Sequence, residues 1–459
     1  MTPTLATALT LFGVLYLLRR DARQGETSSS ALWLPVMWLG ITGSRFVSQW
    51  LDLSGGGGDN FTEGSPIDAL YFATLIGAGL WTLHRRDVRL GAVVRANGWV
   101  FALMAYGLLS VLWSDFPLTA GKRWIKTLGH PVMALIILTE PDPAAALRAV
   151  LKRCAFILLP VSVLFIKYLP EYGRGFDAWT GEAVNNGVGL TKNDLGYLCM
   201  VSGIMFSWNL LTVRRLQDKA ARHFEIGLSL VFLWMVAWLL QMSNSQTSLF
   251  AMVLGIGMLF AVGSRLVSRR FFGTYAVIVV LVVAGLEAAF DLYHNIIIML
   301  GRDPSLTDRT AVWADVLALQ NRPMLGYGFE SFWLGDRLMV LWNKWWWRPT
   351  QAHNGYIETY LNLGLVGLGL LAGLLLSTFR RISRQLLNDF NFARLRLALL
   401  FAILLFNYTE AAFKAVHFIW TIFFVIAMEP PKRRQHDGIA ALPSRRTSDN
   451  DGWRVHPSR

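Results

Sequence analysis

Charged residues and cysteines are scarce in this chain of 459 residues. Asp, Glu, Lys and Arg make up 16% of it, whereas soluble domains average about a quarter. Cys154 and Cys199 lie in apolar runs, so the sequence indicates neither a disulfide framework nor a thiolate metal site. The His, Cys, Asp and Glu residues show no metal-ligand spacing, and 54-SGGGGDN-60 lacks the spacing of a phosphate-binding loop. We therefore predict no metal and no cofactor.

Apolar residues, in contrast, make up 54% of the chain. Runs near the ~20 residues needed to cross a bilayer recur along its length. We predict an all-α polytopic membrane protein with about 12–13 transmembrane helices. The predicted spans are 3–18, 31–50, 66–83, 97–113, 128–141, 154–169, 194–212, 224–242, 247–263, 271–290, 354–378, 397–411 and 413–428.

The predicted spans divide the chain into four regions. Residues 1–290 hold the first group of helices with short loops, and 291–353 form one large periplasmic loop. Residues 354–428 hold the C-terminal helices, and 429–459 form a basic, disordered cytoplasmic tail. The first helix is expected to be retained, because its basic residues follow the apolar run and none precedes it.

The net charge of +13 has a topological explanation. Lys and Arg concentrate in alternate segments between the predicted spans, as the positive-inside rule requires for cytoplasmic loops. Counting spans then places the N-terminus outside. The charge distribution needs no nucleic-acid partner, and we predict none.

Other basic residues lie on the outer side, where the positive-inside rule disfavours them. For any single one, snorkelling or contact with lipid phosphates explains the position. As a set they favour an anionic ligand on the outer face. They are Arg45, Lys122, Arg123, Lys126, Lys167, Arg174, Lys192, Arg302, Arg309, Arg322, Arg337, Lys344, Arg348 and Lys414.

Two of these cations stand at predicted helix starts. In 190-LTKNDLG-196, Thr191 and Asp194 have capping-box spacing, which makes Lys192 the first helical residue. In 307-TDRTAVWADVLAL-319, Arg309 precedes an apolar stripe that includes Trp313. A cation at a helix start can bind an anion, and a guanidinium can bind phosphate with two hydrogen bonds. The alternatives are an ordinary cap with an interfacial lysine, and an arginine whose stem covers Trp313.

The stretch 350-TQAHNGYIETYLNLGLVGLGLLAG-373 passes from polar to apolar at a histidine. A helix beginning near Asn354 would carry His353, Ile357, Tyr360 and Gly364 on one face. His353 is then either a capping residue on a packed helix or a general base facing a cavity at the membrane surface. The stretch by itself leaves both readings open.

Several segments together resemble the O-antigen ligase/polymerase superfamily, and within it the exopolysaccharide polymerases of the succinoglycan type. The resemblance lies in the order of the segments and in the long loop before the last of them. They are 112-LWSDFPLTAGKRW-124, 165-FIKYLPEYGR-174, 190-LTKNDLG-196, 243-SNSQTS-248, 308-DRTAVW-313, 323-PMLGYGFESFW-333 and 353-HNGYIETYLNLGLVG-367.

The resemblance implies a bacterial inner-membrane glycosyltransferase of the GT-C type, metal-independent and inverting, whose active site faces the periplasm. Its donor would be a glycan on undecaprenyl diphosphate. A polymerase would transfer that glycan to a sugar hydroxyl of another lipid-linked repeat unit. The family's essential arginine and histidine fall on Arg309 and His353, the latter as general base.

The remaining site residues follow from that chemistry. A leaving diphosphate needs cations, for which we expect Lys192, Arg174 and Arg123 beside Arg309. Asn354 would orient the acceptor or the imidazole ring. Thr191 stands where related sequences often carry a further basic residue. The aromatic residues expected to line the site are Tyr356 and Tyr360.

Three alternatives remain open. The first is a ligase that transfers the glycan to lipid A–core, the second is a flippase or exporter of the lipid-linked glycan, and the third is a non-catalytic subunit. A transporter should carry ionisable residues deep within its spans, and Glu287, the main candidate, lies near a span end. Besides the lipid-linked glycan and membrane lipids, expected partners are a chain-length regulator or flippase of the same pathway.

Overall fold

A computed structural model describes residues 1–24, 29–52, 64–176, 181–214, 217–265, 267–275 and 309–430. Almost all of its regular structure is helical, which confirms the predicted all-α polytopic membrane protein. The helices, in chain order, are α1 (Pro3–Gln24), α2 (Trp33–Thr42), α3 (Val47–Trp50), α4 (Pro66–Arg85), α5 (Leu90–Ala96), α6 (Gly98–Leu109), α7 (Pro117–Thr127), α8 (Gly129–Leu138), α9 (Pro143–Tyr168), α10 (Pro170–Gly173), α11 (Lys192–Val213), α12 (Lys219–Ser243), α13 (Gln246–Gly263), α14 (Arg309–Ala318), α15 (Asp336–Lys344), α16 (Gly355–Gln385), α17 (Phe390–Thr409) and α18 (Phe418–Ala427).

Smaller elements join these helices. Single 3₁₀ turns occupy Ser30–Leu32, Ser110–Trp113 and Arg269–Phe271. Strands β1 (Arg174–Phe176) and β2 (Ala183–Asn185) pair antiparallel, with Gly175 opposite Val184.

Seven of the described helices, α4, α9, α11, α12, α13, α16 and α17, are long and apolar enough to cross a membrane. The pair formed by α5 and Gly98–Trp113, bent by 103°, would make an eighth. The predicted count of about 12–13 is therefore not reached within the described ranges. The predicted span 31–50 is two helices, because the chain leaves α2 at Gly43 before α3 begins. Most of the predicted span 271–290 lies outside the described residues.

Two predicted spans, 128–141 and 413–428, correspond to the short helices α8 and α18. Each has 10 residues, and every residue of both is buried. A helix that is apolar all round and only ~15 Å long is buried by protein and does not need lipid. The two helices pack against each other inside the bundle. Composition alone cannot distinguish such inner helices from membrane spans.

The starts of the long helices follow local capping chemistry. Thr191 Oγ1 accepts from the backbone N–H of Asp194 and the Asp194 carboxylate accepts from that of Thr191, which confirms the capping box and the start of α11 at Lys192. The side chain of Asn354 accepts from the N–H groups of Tyr356 and Ile357, at 2.9 and 3.1 Å, and so begins α16.

Helix α16 is broken at Gly364, where the sequence predicts a continuous helix. Gly364 has φ 64° and ψ −165°, a conformation that side-chain-bearing residues avoid. The carbonyls of Leu361 and Asn362 accept instead from the N–H groups of Tyr327 and Gly328, at 3.1 and 2.9 Å. The loop before α15 thus supplies the hydrogen bonds that the broken helix lacks. Irregular backbone at membrane depth is tolerated where protein satisfies it in this way.

The described part of the predicted large loop is folded. Residues Val312, Val316, Phe332, Leu338 and Leu341 form a separate apolar core with Leu361 of α16. This core fixes α14 and α15 over the start of α16. The residues that precede His353 are therefore held by packing on both sides.

The break in α16 gives a prediction of stability. Gly364→Ala should destabilise the protein by more than about 2 kcal/mol, because the backbone conformation excludes a side chain and the added Cβ would collide with the carbonyl oxygen of Met324. Gly369→Ala is the matched control, since its Cβ would meet nothing within 4 Å. Thermal melting of both variants in detergent measures the difference. Equal melting temperatures of the two variants would show that the folded protein does not depend on the break at Gly364.

Candidate active site

The carboxylate of Glu410 is the centre of a buried polar cluster. Glu410 Oε2 lies 3.1 Å from His353 Nδ1, and Oε1 accepts from Arg309 Nη2 at 2.8 Å. Asn193 Nδ2 donates to the same Oε1 at 2.7 Å. The other end of the Arg309 guanidinium donates to the backbone carbonyl of Thr409. One carboxylate therefore binds side chains from three distant parts of the chain.

The four elements involved meet at their ends. Glu410 directly follows α17, Arg309 is the first residue of α14 and Asn193 is the second residue of α11. His353 stands two residues before α16 with φ 50°, a left-handed conformation that few non-glycine residues adopt. Ser245, the N-cap of α13, donates to Asn193 Oδ1 at 3.1 Å and so orients the Asn193 amide toward Glu410.

Glu410 determines which nitrogen of His353 carries the proton. Burial raises the pKa of the Glu410 carboxyl, but the charge of Arg309 and the hydrogen bond from His353 outweigh burial and lower it to about 2. An ionised carboxylate only accepts, so His353 Nδ1 is the donor, and in the neutral form of the ring the lone pair is on Nε2. The side chain of Gln351 lies beside the same ring, with its Nε2 3.4 Å from His353 Nδ1. Gln351 Oε1 accepts from Lys414, which turns Nε2 toward the ring, and two donors in contact form no hydrogen bond.

A cavity of 200 Å³ opens beside this cluster. His353, Glu410 and Asn193 line it together with Lys414 and His417. The side chain of His417 accepts from the N–H of Ile419 at 3.1 Å. Burial and then the charge of Lys414 lower the pKa of His417 to about 3. His417 is therefore a neutral imidazole that can donate a hydrogen bond into the cavity from Nε2.

A second, larger cavity of 320 Å³ lies on the other side of Lys414. Its volume is at the lower end of the ~300–1,000 Å³ of small-molecule sites. Arg123 and Lys126, one turn apart on α7, contribute cations. Its two carboxylates already have protein donors: Glu330 accepts from the N–H of Ala415, and Glu358 accepts from Trp333 and Ala352. Aromatic side chains that also line it are Phe46, Phe329, Trp333 and Phe413.

Comparison with known proteins agrees with the resemblance found in the sequence. A family model described as O-antigen ligase matches residues 230–372. The exopolysaccharide production protein ExoQ of Rhizobium meliloti is 27% identical over 308 residues, covering 63% of this chain and 66% of the relative. A Rickettsia felis protein named "putative polysaccharide ligase" is 28% identical over 249 residues, covering 52% of this chain and 56% of the relative. The aligned part is thus less than two thirds of the length of each relative.

These matches support an assignment of the chain to the O-antigen ligase/polymerase superfamily. The family match covers Arg309 and His353 and ends before Glu410. Among the described residues, no three His, Cys, Asp or Glu side chains are placed to hold a metal ion.

The structure brings together the two residues predicted to be catalytic, Arg309 and His353, through a shared carboxylate. From its position at a helix start, Arg309 is predicted to bind phosphate with two hydrogen bonds. In the structure both ends of its guanidinium are occupied, by Glu410 and by the carbonyl of Thr409. Its contact with phosphate stays a prediction, whereas its contact with Glu410 was not foreseen.

The other predicted cations are separated from one another. Lys192 begins α11 between two residues that line the smaller cavity, Thr191 and Asn193. Arg123 lines the larger cavity. Arg174 donates from Nε and Nη2 to the carbonyl of Ile166, at 3.1 and 2.9 Å, and so binds the end of α9. Arg174 lines neither cavity.

The predicted polar and aromatic neighbours of His353 have mainly structural contacts. Asn354 is buried and caps α16 through its side-chain oxygen. Tyr356 packs in the main core and donates to the carbonyl of Leu404 at 3.1 Å. Neither Tyr356 nor Tyr360 lines either cavity. Their binding roles stay predictions without support from these contacts.

Three side chains of the cluster were missed as candidates from the sequence. Glu410 is a single acid at the end of an apolar run, Asn193 adjoins the predicted Lys192, and His417 follows in the next loop. The one available signal was an acid, a lysine and a histidine in 409-TEAAFKAVH-417, between two apolar helices. Such residues at membrane boundaries are often interfacial, so the segment alone indicates no site.

The Glu410 cluster predicts a pH-dependent stability. The folded-state pKa of about 2 lies below the ordinary value of 4.5, so the stabilisation is complete above pH 4.5 and is lost as pH falls toward 2. Glu410→Gln should lower stability at neutral pH by on the order of 3 kcal/mol, and its melting temperature should approach that of the wild type between pH 4.5 and pH 2. Melting in detergent across pH measures this.

The control for this prediction is Glu171→Gln, which removes the same charge at an exposed position. Its melting temperature should match that of the wild type at each pH. A difference between Glu410→Gln and the wild type that stays constant down to pH 2 would contradict an ionised, stabilising Glu410.

Proposed function

We infer that the protein is a glycosyltransferase that polymerises a bacterial surface polysaccharide. It transfers a growing glycan from undecaprenyl diphosphate to a sugar hydroxyl of a second lipid-linked repeat unit. The observation that carries this proposal is the position of the His353 imidazole. Glu410 orients the ring, which lines the smaller cavity, and a group of cations lines the larger cavity. Membership of the O-antigen ligase/polymerase superfamily supports the choice of substrate class.

In this proposal His353 is the general base. An acceptor hydroxyl is a weak nucleophile, and a base within hydrogen-bond reach removes its proton as the new bond forms. Glu410 holds the proton on Nδ1, so Nε2 is available for the acceptor, and the carboxylate then stabilises the imidazolium. Arg309 and Asn193 act through Glu410 as positioning residues, because both bind its other oxygen.

The larger cavity suits the leaving group. In an inverting displacement the nucleophile and the leaving group occupy opposite sides of the anomeric carbon, so base and diphosphate need separate spaces. Arg123 and Lys126 face the larger cavity. Burial, which is the largest effect, and the charge of Arg123 lower the pKa of Lys126, and a bound diphosphate would favour its charged form. Both cations would hold the diphosphate during transfer.

We further propose that this site faces the periplasm from the inner membrane. Helix α16 begins at the site and ends among Arg380, Arg381 and Arg384, while α17 begins near Arg394 and Arg396 and ends at the site. The ends of α16 and α17 that lie away from the site therefore carry five arginines. Basic helix ends favour the cytoplasm, which leaves the site on the other side of the membrane.

A ligase is the alternative that a specific observation favours, because the Rickettsia felis relative is named as one. Ligase and polymerase would share the donor and the catalytic groups and differ in acceptor. The exopolysaccharide production protein aligns with more of the chain, 63% against 52%, and this supports the polymerase. A flippase would have no use for a base held in one tautomer by a buried carboxylate.

Purified protein in lipid nanodiscs tests the catalytic assignment. His353→Ala should reduce glycan transfer from the undecaprenyl diphosphate carrier by at least ~10²-fold, because general-base catalysis contributes about that much or more. His223→Ala, an exposed histidine at the start of α12, is the matched control and should transfer at the wild-type rate. The assignment is wrong if folded His353→Ala protein turns over like the wild type at every pH.

Lipid-linked glycans in a gene-deletion strain distinguish the candidate functions. Loss of a polymerase should leave single repeat units on the carrier at the periplasmic face. Loss of a ligase should leave long chains on the carrier, and loss of a flippase should leave repeat units on the cytoplasmic side. Long stranded chains would replace the polymerase by the ligase, and cytoplasmic accumulation would contradict both enzymes.

A further inference from the structure

The loop of residues 410–417, which joins α17 to α18, carries a cation that the mechanism above does not use. Lys414 lies in the walls of both cavities, and it is the only described side chain common to the two sets of lining residues. Arg123 and Lys126 lie on one side of it, and His353 and Glu410 lie on the other. Lys414 thus stands between the proposed leaving-group cations and the proposed base.

The position of Lys414 is fixed by its neighbours in the chain. The N–H of Ala412 donates to Asn407 Oδ1 at 3.0 Å, and the N–H of Ala415 donates to Glu330. The carbonyl of Ala415 accepts from the buried His130 at 2.8 Å. Backbone groups on both sides of Lys414 are therefore hydrogen-bonded, which holds the 410–417 loop and limits where the Lys414 side chain can lie.

The charge of Lys414 is not neutralised by a contacting carboxylate. Its Nζ donates to the neutral Gln351 side chain, and the described residues show no ion pair for it within 4.0 Å. Arg309, by comparison, is paired with Glu410. The charge of Lys414 also contributes to the lowered pKa of His417 in the same loop.

We propose that Lys414 is a catalytic residue of the transfer reaction, whose ammonium donates a hydrogen bond to the phosphate oxygen that leaves the anomeric carbon. This role rests on the proposed function. The acceptor oxygen bonds to the anomeric carbon as the bond from that carbon to the phosphate oxygen breaks. The electron pair of the broken bond stays on the diphosphate, and the acceptor proton passes to His353 Nε2.

Lys414 keeps its own proton throughout this step. The negative charge on the leaving diphosphate increases as the bond breaks. The Lys414 ammonium, which lies where the two cavities adjoin, stabilises this additional charge. Arg123 and Lys126 bind phosphate before and during the step, so they contribute chiefly to binding. An interaction that strengthens only in the transition state raises kcat.

The test compares four variants of the full chain in phosphatidylcholine nanodiscs, with undecaprenyl diphosphate-linked repeat units as donor and acceptor. Lys414→Gln should lower kcat by ~10²–10³-fold, the usual effect of losing one such donor, and change the donor KM by less than about threefold. Lys414→Arg keeps the cation, so its kcat should be at least about tenfold higher than that of Lys414→Gln. Melting temperatures confirm that each variant is folded.

Two controls separate the ammonium from its neighbours. Gln351→Ala removes the hydrogen-bond partner of Lys414 but leaves the charge, so it measures how far positioning of the ammonium matters and should lower kcat by less than Lys414→Gln. Lys122→Gln removes an exposed cation from α7 and should match the wild type. If Lys414→Arg recovers none of the kcat that Lys414→Gln loses while both variants are folded, the cation does not act on the leaving group, and the proposal is overturned.

The remaining outcomes distinguish this role from the function on which it rests. A Lys414→Gln protein with wild-type kcat, in a chain that transfers glycan, overturns the role of Lys414 alone. A wild-type chain that moves no glycan from the carrier overturns the proposed function together with this role. If Lys414→Gln does not fold, Lys414→Met gives the same comparison with an uncharged side chain of similar length.

Discussion

The candidate site depends on the burial of one carboxylate, that of Glu410, which is 7% exposed. A buried carboxylate without partners is strongly unfavourable. Its partners Arg309, Asn193 and His353 come from segments that precede it by about 57 to more than 200 residues. Because this one buried carboxylate needs partners, the starts of α11, α14 and α16 are held close to the end of α17. Any rearrangement that separates these helix ends leaves a carboxylate or a guanidinium unpaired.

The break in α16 has a related effect on the position of His353. Because Gly364 interrupts the helix, carbonyls of its first segment accept from the N–H groups of Tyr327 and Gly328, in the loop before α15. The apolar core around Val316 and Phe332 then packs on the same segment at Leu361. The first turns of α16 are thus joined to α14, to α15 and to the loop between those two helices. A base that must stay in one orientation benefits from a segment held in this way.

Features set by local chemistry could be predicted from the sequence, whereas features set by tertiary contacts could not. The capping box at Thr191 and the helix start after Asn354 depend on residues within one turn, and both agree with the structure. The burial of α8 and α18 depends on what surrounds them, so two inner helices were predicted to be membrane spans. Glu410 was missed for the same reason, because nothing within its own segment marks it as a partner of His353.

The basic residues predicted to lie on the outer side do not form one group in the structure. As a set they predict an anionic ligand, and that ligand stays a prediction. In the structure several are engaged by protein: Arg174 binds a helix end, Arg337 pairs with Asp115 and Lys344 pairs with Asp315. A cation with an internal partner needs no ligand to explain its position. Arg123 and Lys414 also have protein partners, the Glu330 carbonyl and the Gln351 side chain, so partners alone do not select the ligand-binding cations. What distinguishes Arg123, Lys126 and Lys414 is that all three line the larger cavity, whereas Arg174, Arg337 and Lys344 line neither cavity.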